Sequence, residues 1–148
     1  AVVKEAMRLH PVGPILLPHR AVEDGVEIGG YAVPRGAMVI FNAWAIMRDA
    51  AARERPDEFV PERFMETTID FRGKEYEYLP LGSGRRLCPG LPLAERVVPF
   101  VLASLLRAFE WRLPDGVSAD ELDVSERFNT ANVLAVPLKV VPLPVNVN

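Results

Sequence analysis

A single cysteine, Cys88, lies in the run Leu79-Pro80-Leu81-Gly82-Ser83-Gly84-Arg85-Arg86-Leu87-Cys88-Pro89-Gly90, just ahead of a long apolar pattern with helical spacing. No other segment restricts the fold as much. A lone thiol cannot close an intramolecular disulfide, so no cross-link framework holds this chain. Glycines let a backbone come close to a flat ligand. A helix N-terminus and nearby cations favour thiolate over thiol, and two arginines precede Cys88 here. A thiolate presented in that way is a ligand for a soft or borderline metal. The alternative is the commonest fate of a free cysteine, a small buried apolar side chain.

With 148 residues the chain has enough length for one domain with a sizeable core. Hydrophobic residues make up 49% and charged residues 25%, an ordinary globular balance that argues against disorder. The formal net charge of −3 gives no electrostatic case for nucleic acid. No apolar run reaches the roughly 18 residues of a membrane-spanning helix, and Ala1 opens no signal-peptide pattern. One cysteine suits a cytosol-facing location.

Val2, Val3, Ala6, Met7 and Leu9 predict a helix from the start of the chain to about Leu9, ended by His10-Pro11. The absence of an N-cap before it implies a truncated product. Ile15 to Ala21 predicts a short strand. Val26 to Val33 predicts a hairpin turning at Gly29-Gly30, and Ala37 to Phe41 a further strand. A short helix is expected over Ala43 to Met47 with Asn42 as its cap. The stretch from Arg48 to Leu81 lacks sustained periodicity, and one helical turn is expected around Asp57-Glu58-Phe59. Leu91 to Phe109 predicts a long helix, in which Pro99 should cost about 3 kcal/mol or produce a kink. A last strand is expected over Val133 to Val141.

The Cys88 run resembles the haem-binding loop of cytochrome P450 monooxygenases, Phe-x-x-Gly-x-Arg-x-Cys-x-Gly. Gly84, Arg86, Cys88 and Gly90 match it, and Leu81 stands where Phe is usual. Glu5-Ala6-Met7-Arg8 resembles the Glu-x-x-Arg of the family's K helix. Pro61-Glu62-Arg63-Phe64 resembles the segment that completes a Glu/Arg/Arg triad. The three motifs follow in the family's order, and the likeness runs over essentially the whole chain. Its nearest flavour is that of plant microsomal P450s, especially the terpenoid hydroxylases of grasses.

The resemblance implies a mainly α fold with small β-sheets (α+β), the C-terminal portion of the P450 fold from K helix through Cys loop and L helix to the terminal strands. Residues 1–148 would be a partial haem-binding domain, without the membrane anchor, the oxygen-activating helix and most of the substrate pocket. It implies haem (iron protoporphyrin IX) with Cys88 as axial thiolate. Arg86 and His19 would reach propionates, and Gly84 and Gly90 would lie beside the cofactor. Glu5, Arg8 and Arg63 would form a structural triad. Val12, Gly13, Pro14, Ile15 and Leu16 match one substrate-contacting segment, and Thr130, Ala131 and Asn132 another; plain core packing is the alternative for both. His10 is read as structural, not as a ligand.

By the same resemblance NADPH supplies electrons through NADPH-cytochrome P450 reductase. Arg85, Lys74 and Arg96 would join the basic face that docks it. The parent protein would sit at the endoplasmic reticulum membrane, facing the cytosol, and hydroxylate a lipophilic small molecule such as a terpenoid. The competing expectation is a non-catalytic, truncated or decayed product with at most vestigial haem binding. Three departures from the family pattern favour that alternative: Leu81, Ala50 where Pro is usual, and Arg53 where Trp is usual. A buried arginine at position 53 would need a new partner or a route to solvent.

Overall fold

The computed structural model describes residues 1–128 and 131–145. It is a mixed fold of three α-helices, several short 3-10 turns and four separate two-stranded antiparallel sheets among the described residues. Helix α1 (Val2–Leu9) turns its charged stripe inward and buries Glu5, Arg8 and Leu9. The chain then runs through Pro11 to β1 (His19–Arg20), which pairs with β4 (Met38–Val39) in the register His19↔Val39. The expected strands over 15–21 and 37–41 are therefore much shorter than their apolar runs. The residues flanking β1 use their backbone groups individually: Leu16 N donates to Phe41 O at 3.0 Å, and Ala21 N to Ala37 O at 3.0 Å.

The hairpin β2 (Val26–Ile28) and β3 (Tyr31–Val33) forms as expected, with Gly29 and Gly30 at φ +58° and +84°. Those left-handed values are why two glycines stand at the turn. Helix α2 (Ala43–Met47) also follows the sequence reading, and Asn42 Oδ1 accepts from Ala45 N at 3.0 Å. Its buried residues Ala43 and Met47 meet Phe64 and Tyr78 in a small core, flanked by Leu16, Ile69 and Phe71.

Three expectations are corrected. The helical turn of the meander is a 3-10 turn at Pro61–Phe64, not at Asp57 to Phe59. Pro61 supplies the fixed φ of a first turn and needs no N–H partner there. The single last strand over 133–141 is instead two strands in different sheets. These are β7 (Asn132–Leu134), paired with β6 (Glu126–Phe128), and β8 (Val141–Pro144), paired with β5 (Phe109–Arg112). Helix α3 (Leu91–Ala108) stops one residue early because Phe109 already has extended dihedrals and opens β5. Pro99 is accommodated within α3. Among the described residues no helix is long and apolar enough to cross a membrane.

Candidate functional site

The Cys88 segment is a backbone loop closed on itself. Cys88 N donates to Leu81 O at 3.0 Å, Gly82 N to Leu79 O at 3.2 Å, and Leu91 N to Cys88 O at 3.2 Å. A 3-10 turn over Gly84–Arg86 lifts the two arginines to the surface before the chain descends to Cys88, which is partly exposed. Gly82 and Gly84 have φ of +77° and +59°, left-handed conformations that an L side chain enters only with strain. A Cβ at Gly84 would meet open space. Gly90 differs, since its φ of −77° suits any residue. A Cβ built there would lie 3.6 Å from Cys88 Sγ, an ordinary contact, so this glycine leaves room beside the sulfur without a conformational demand. Leu81 lines a cavity of about 40 Å³ together with Met7, Phe71, Leu91 and Val98.

A charge network joins α1 to the early meander. Glu5 and Arg8 are fully buried and Arg63 nearly so. Arg8 donates to Glu5 through Nε (2.8 Å) and Nη2 (3.0 Å), and to the carbonyls of Met47 (3.1 Å), Pro56 (2.6 Å) and Glu58 (3.0 Å). All five guanidinium donors are thus engaged. The Glu5 carboxylate also accepts from Val60 N at 2.8 Å and Arg63 Nε at 3.1 Å. Burial works against its charge, but the bonds from Arg8, Val60 and Arg63 and the Arg8 charge prevail. They hold the Glu5 pKa below its ordinary value. Arg63 also caps the carbonyls of Glu54 and Arg55, each at 3.1 Å. Arg55 carries a φ of +46°, unusual for a residue with a side chain.

The remaining predicted positions fall in three places. His19 lies half-buried on β1, edge-on to Phe41 at 5.4 Å, while Arg20 points to solvent. The Nδ1 of His19 is buried and has no hydrogen-bond partner. A buried polar atom of that kind calls for a partner. Arg86 is exposed. Of the two apolar segments, Val12 and Ile15 are exposed and Leu16 packs on the core. Asn132 N donates to Val12 O at 2.8 Å, which joins the two segments. Ala131 is half-buried beside that bond, whereas Thr130 lies outside the described residues. Arg53 finds one partner, donating through Nη2 to Glu77 O at 2.9 Å, but its buried Nε has none and burial lowers its pKa; Ala50 sits in an exposed turn.

Among the described residues no group of three or more His, Cys, Asp or Glu could hold a metal ion. The family model for cytochrome P450 matches residues 1–136. This chain belongs to the cytochrome P450 family. It is 94% identical over 148 residues to cytochrome P450 76M5 of Oryza sativa subsp. japonica, covering 99% of this chain and 30% of that protein. It is 77% identical over 145 residues to oryzalexin D synthase from the same plant, covering 97% of this chain and 29% of that protein. A solved zebrafish cytochrome P450 with abiraterone superposes at a TM-score of 0.83 with 33% identity, over 97% of this chain and 32% of that one. The chain thus spans about 30% of the length of the curated P450s it matches.

Two contributors to this P450 segment escaped sequence reasoning. Gly73 is buried with φ +69°, and a Cβ there would fall 2.5 Å from Gly82 O and 2.7 Å from Ser83 Cα. The meander therefore presses backbone to backbone against the Cys loop at a place where only glycine fits. Tyr78 is fully buried, and its hydroxyl donates to Lys4 O at 2.9 Å, tying α1 to the chain just ahead of the loop. Burial raises its pKa well above the ordinary phenol value. Both belong to the aperiodic stretch 48–81, where hydrophobic spacing carries no signal.

Proposed function

We propose that residues 1–148 are the haem-binding portion of a P450 monooxygenase, with Cys88 as the axial ligand. The observation that carries this reading is the partly exposed Cys88 at the end of a self-bonded glycine loop. It is backed by Gly90 with no side chain and braced from behind by Gly73. The orphaned Nδ1 of His19 and the solvent-facing Arg86 fit the carboxylates of a porphyrin, which would give each the partner it lacks. Gly84, with open space around it, suits the close approach of a flat ring. When bound, haem would supply oxygen activation, one atom entering a lipophilic substrate and the other leaving as water with two NADPH-derived electrons and two protons.

The chain's own part is to hold and orient. The Cys88 N to Leu81 O bond fixes the loop, and the Glu5, Arg8 and Arg63 network keeps the meander against it. Val12 to Leu16 and Ala131-Asn132 would form apolar pocket wall. Exposed Arg85, Lys74 and Arg96 would contribute to a basic docking face for NADPH-cytochrome P450 reductase. A terpenoid substrate is supported by the relatives named oryzalexin D synthase and ent-cassadiene C11-alpha-hydroxylase 1, the latter 73% identical. The parent protein would work at the cytosolic face of the endoplasmic reticulum. The test is the spectrum of the reduced, carbon-monoxide-treated full-length protein carrying this sequence. A red-shifted thiolate-type Soret band is expected, and Cys88→Ser should abolish it. An unchanged band in Cys88→Ser would refute the assignment.

A further inference from the structure

The connection between α1 and β1 meets the β6–β7 hairpin at two bonds. Asn132 N donates to Val12 O at 2.8 Å, and His10 Nδ1 lies 2.5 Å from Glu126 Oε1. The acceptor is a carboxylate, so the ring nitrogen is the donor. The Glu126 carboxylate stays charged although burial opposes it. The Asn132 side chain and His10 bond to it, and nearby Arg48 adds positive charge, which lowers its pKa from the ordinary value. Arg48 is itself fixed, with Nη2 donating to Leu9 O at 2.7 Å and its guanidinium 4.4 Å above the Trp44 ring. His10 thus reaches across from the end of α1 to a residue 116 positions later.

The hairpin depends on such ties. Its strands have three residues each, and Phe128, Val133 and Leu134 are exposed, so it gains little from burial of its own. A two-stranded hairpin alone is at best marginally stable in water. We infer that His10 and Glu126 form a clasp that sets the spacing of two pocket-wall segments, 12–16 and 131–132, and through it which bulky lipophilic molecules the pocket admits. Both are positioning residues, acting through Val12 and Asn132. The pocket role rests on the haem-thiolate reading above; the clasp itself rests only on the two bonds.

The test uses a full-length P450 chain carrying this sequence, titrated spectrally with clotrimazole, a bulky azole, and with imidazole, a small one. His10→Ala and Glu126→Ala should each weaken clotrimazole binding about fivefold and leave imidazole binding unchanged, with the double variant no weaker than either single one. His10→Asn, which keeps a donor at the Nδ1 position, should restore binding. Hydrogen exchange of the Asn132 amide should rise in both alanine variants and fall back in His10→Asn. Unchanged clotrimazole affinity, losses that multiply in the double variant, or an equal loss for imidazole would overturn the pocket role. Unchanged exchange at Asn132 would overturn the clasp. If the unaltered protein gives no azole spectrum, the haem-thiolate reading fails instead, and exchange at Asn132 still decides the clasp.

Discussion

Helices α1 and α3 carry their sequences in opposite ways. The inward face of α1 is charged, and Glu5 and Arg8 on it are fully buried. Helix α3 is apolar along most of its length, yet past Glu95 all its residues are exposed, with Val97, Val101 and Leu105 each more than a third accessible. Polarity alone therefore misjudges both. The charges on α1 are inside because every donor and acceptor finds a partner within these residues. The apolar face of α3 is outside because nothing among them covers it. Apolar faces of this extent mark surfaces that contact protein, membrane or ligand.

The largest expected effect tests the α1 side. In a full-length chain, Glu5→Gln leaves two arginines beside a neutral amide and should lower unfolding stability by about 3–5 kcal/mol, measured by urea titration. The pH dependence has a definite sign. The folded-state pKa of Glu5 is depressed, so its contribution is complete above the unfolded value of about 4.3 and vanishes as pH falls through the folded value. Acid unfolding of the Glu5→Gln protein should accordingly be less steep below that pH. A loss under about 1 kcal/mol would mean that the buried network holds nothing.

An intermediate effect separates close packing from conformational strain. Gly73→Ala must displace the Gly82-Ser83 backbone and should cost about 1–3 kcal/mol on top of the left-handed penalty of its +69° φ, as well as haem retention, read from the Soret-to-protein absorbance ratio. Without haem bound, Gly84→Ala meets open space, so there it should cost only the left-handed penalty of about 1–2 kcal/mol. Equal losses at the two sites would show that the 2.5 Å approach at Gly73 is relieved by easy movement.

The smallest expected effect is on α3. In the isolated 148-residue chain, Val101→Lys should change stability by no more than about 0.5 kcal/mol, because it alters an exposed position. It should at the same time reduce self-association, read by light scattering. A large loss of stability would show that α3 is packed after all, and would erase the contrast with α1.

The strongly periodic parts were legible from residues alone: α1, the Gly29-Gly30 hairpin, the Asn42 cap and α3. The Glu5 and Arg8 pair showed in its spacing, but its link to Arg63 came only through resemblance. Spacing along a chain says nothing of a partner 58 positions away. The C-terminal strands were misread because Val133 to Val141 is one apolar run whose two ends bond to different partners, β6 and β5. His10 looked merely structural because its partner Glu126 has no local signature. Gly73 gave no sign because its glycine requirement comes from the backbone of Gly82 and Ser83.

Arg8 gathers acceptors from its own helix at Glu5 and from two distant stretches, at Met47 and at Pro56 and Glu58. None of these can come loose alone without stranding part of a cation in dry surroundings, so α1, the end of α2 and the early meander are bound into a single melting unit. A lysine at that position, with only three donors on one point, could serve at most a subset of them, and the unit would break into separately fraying pieces.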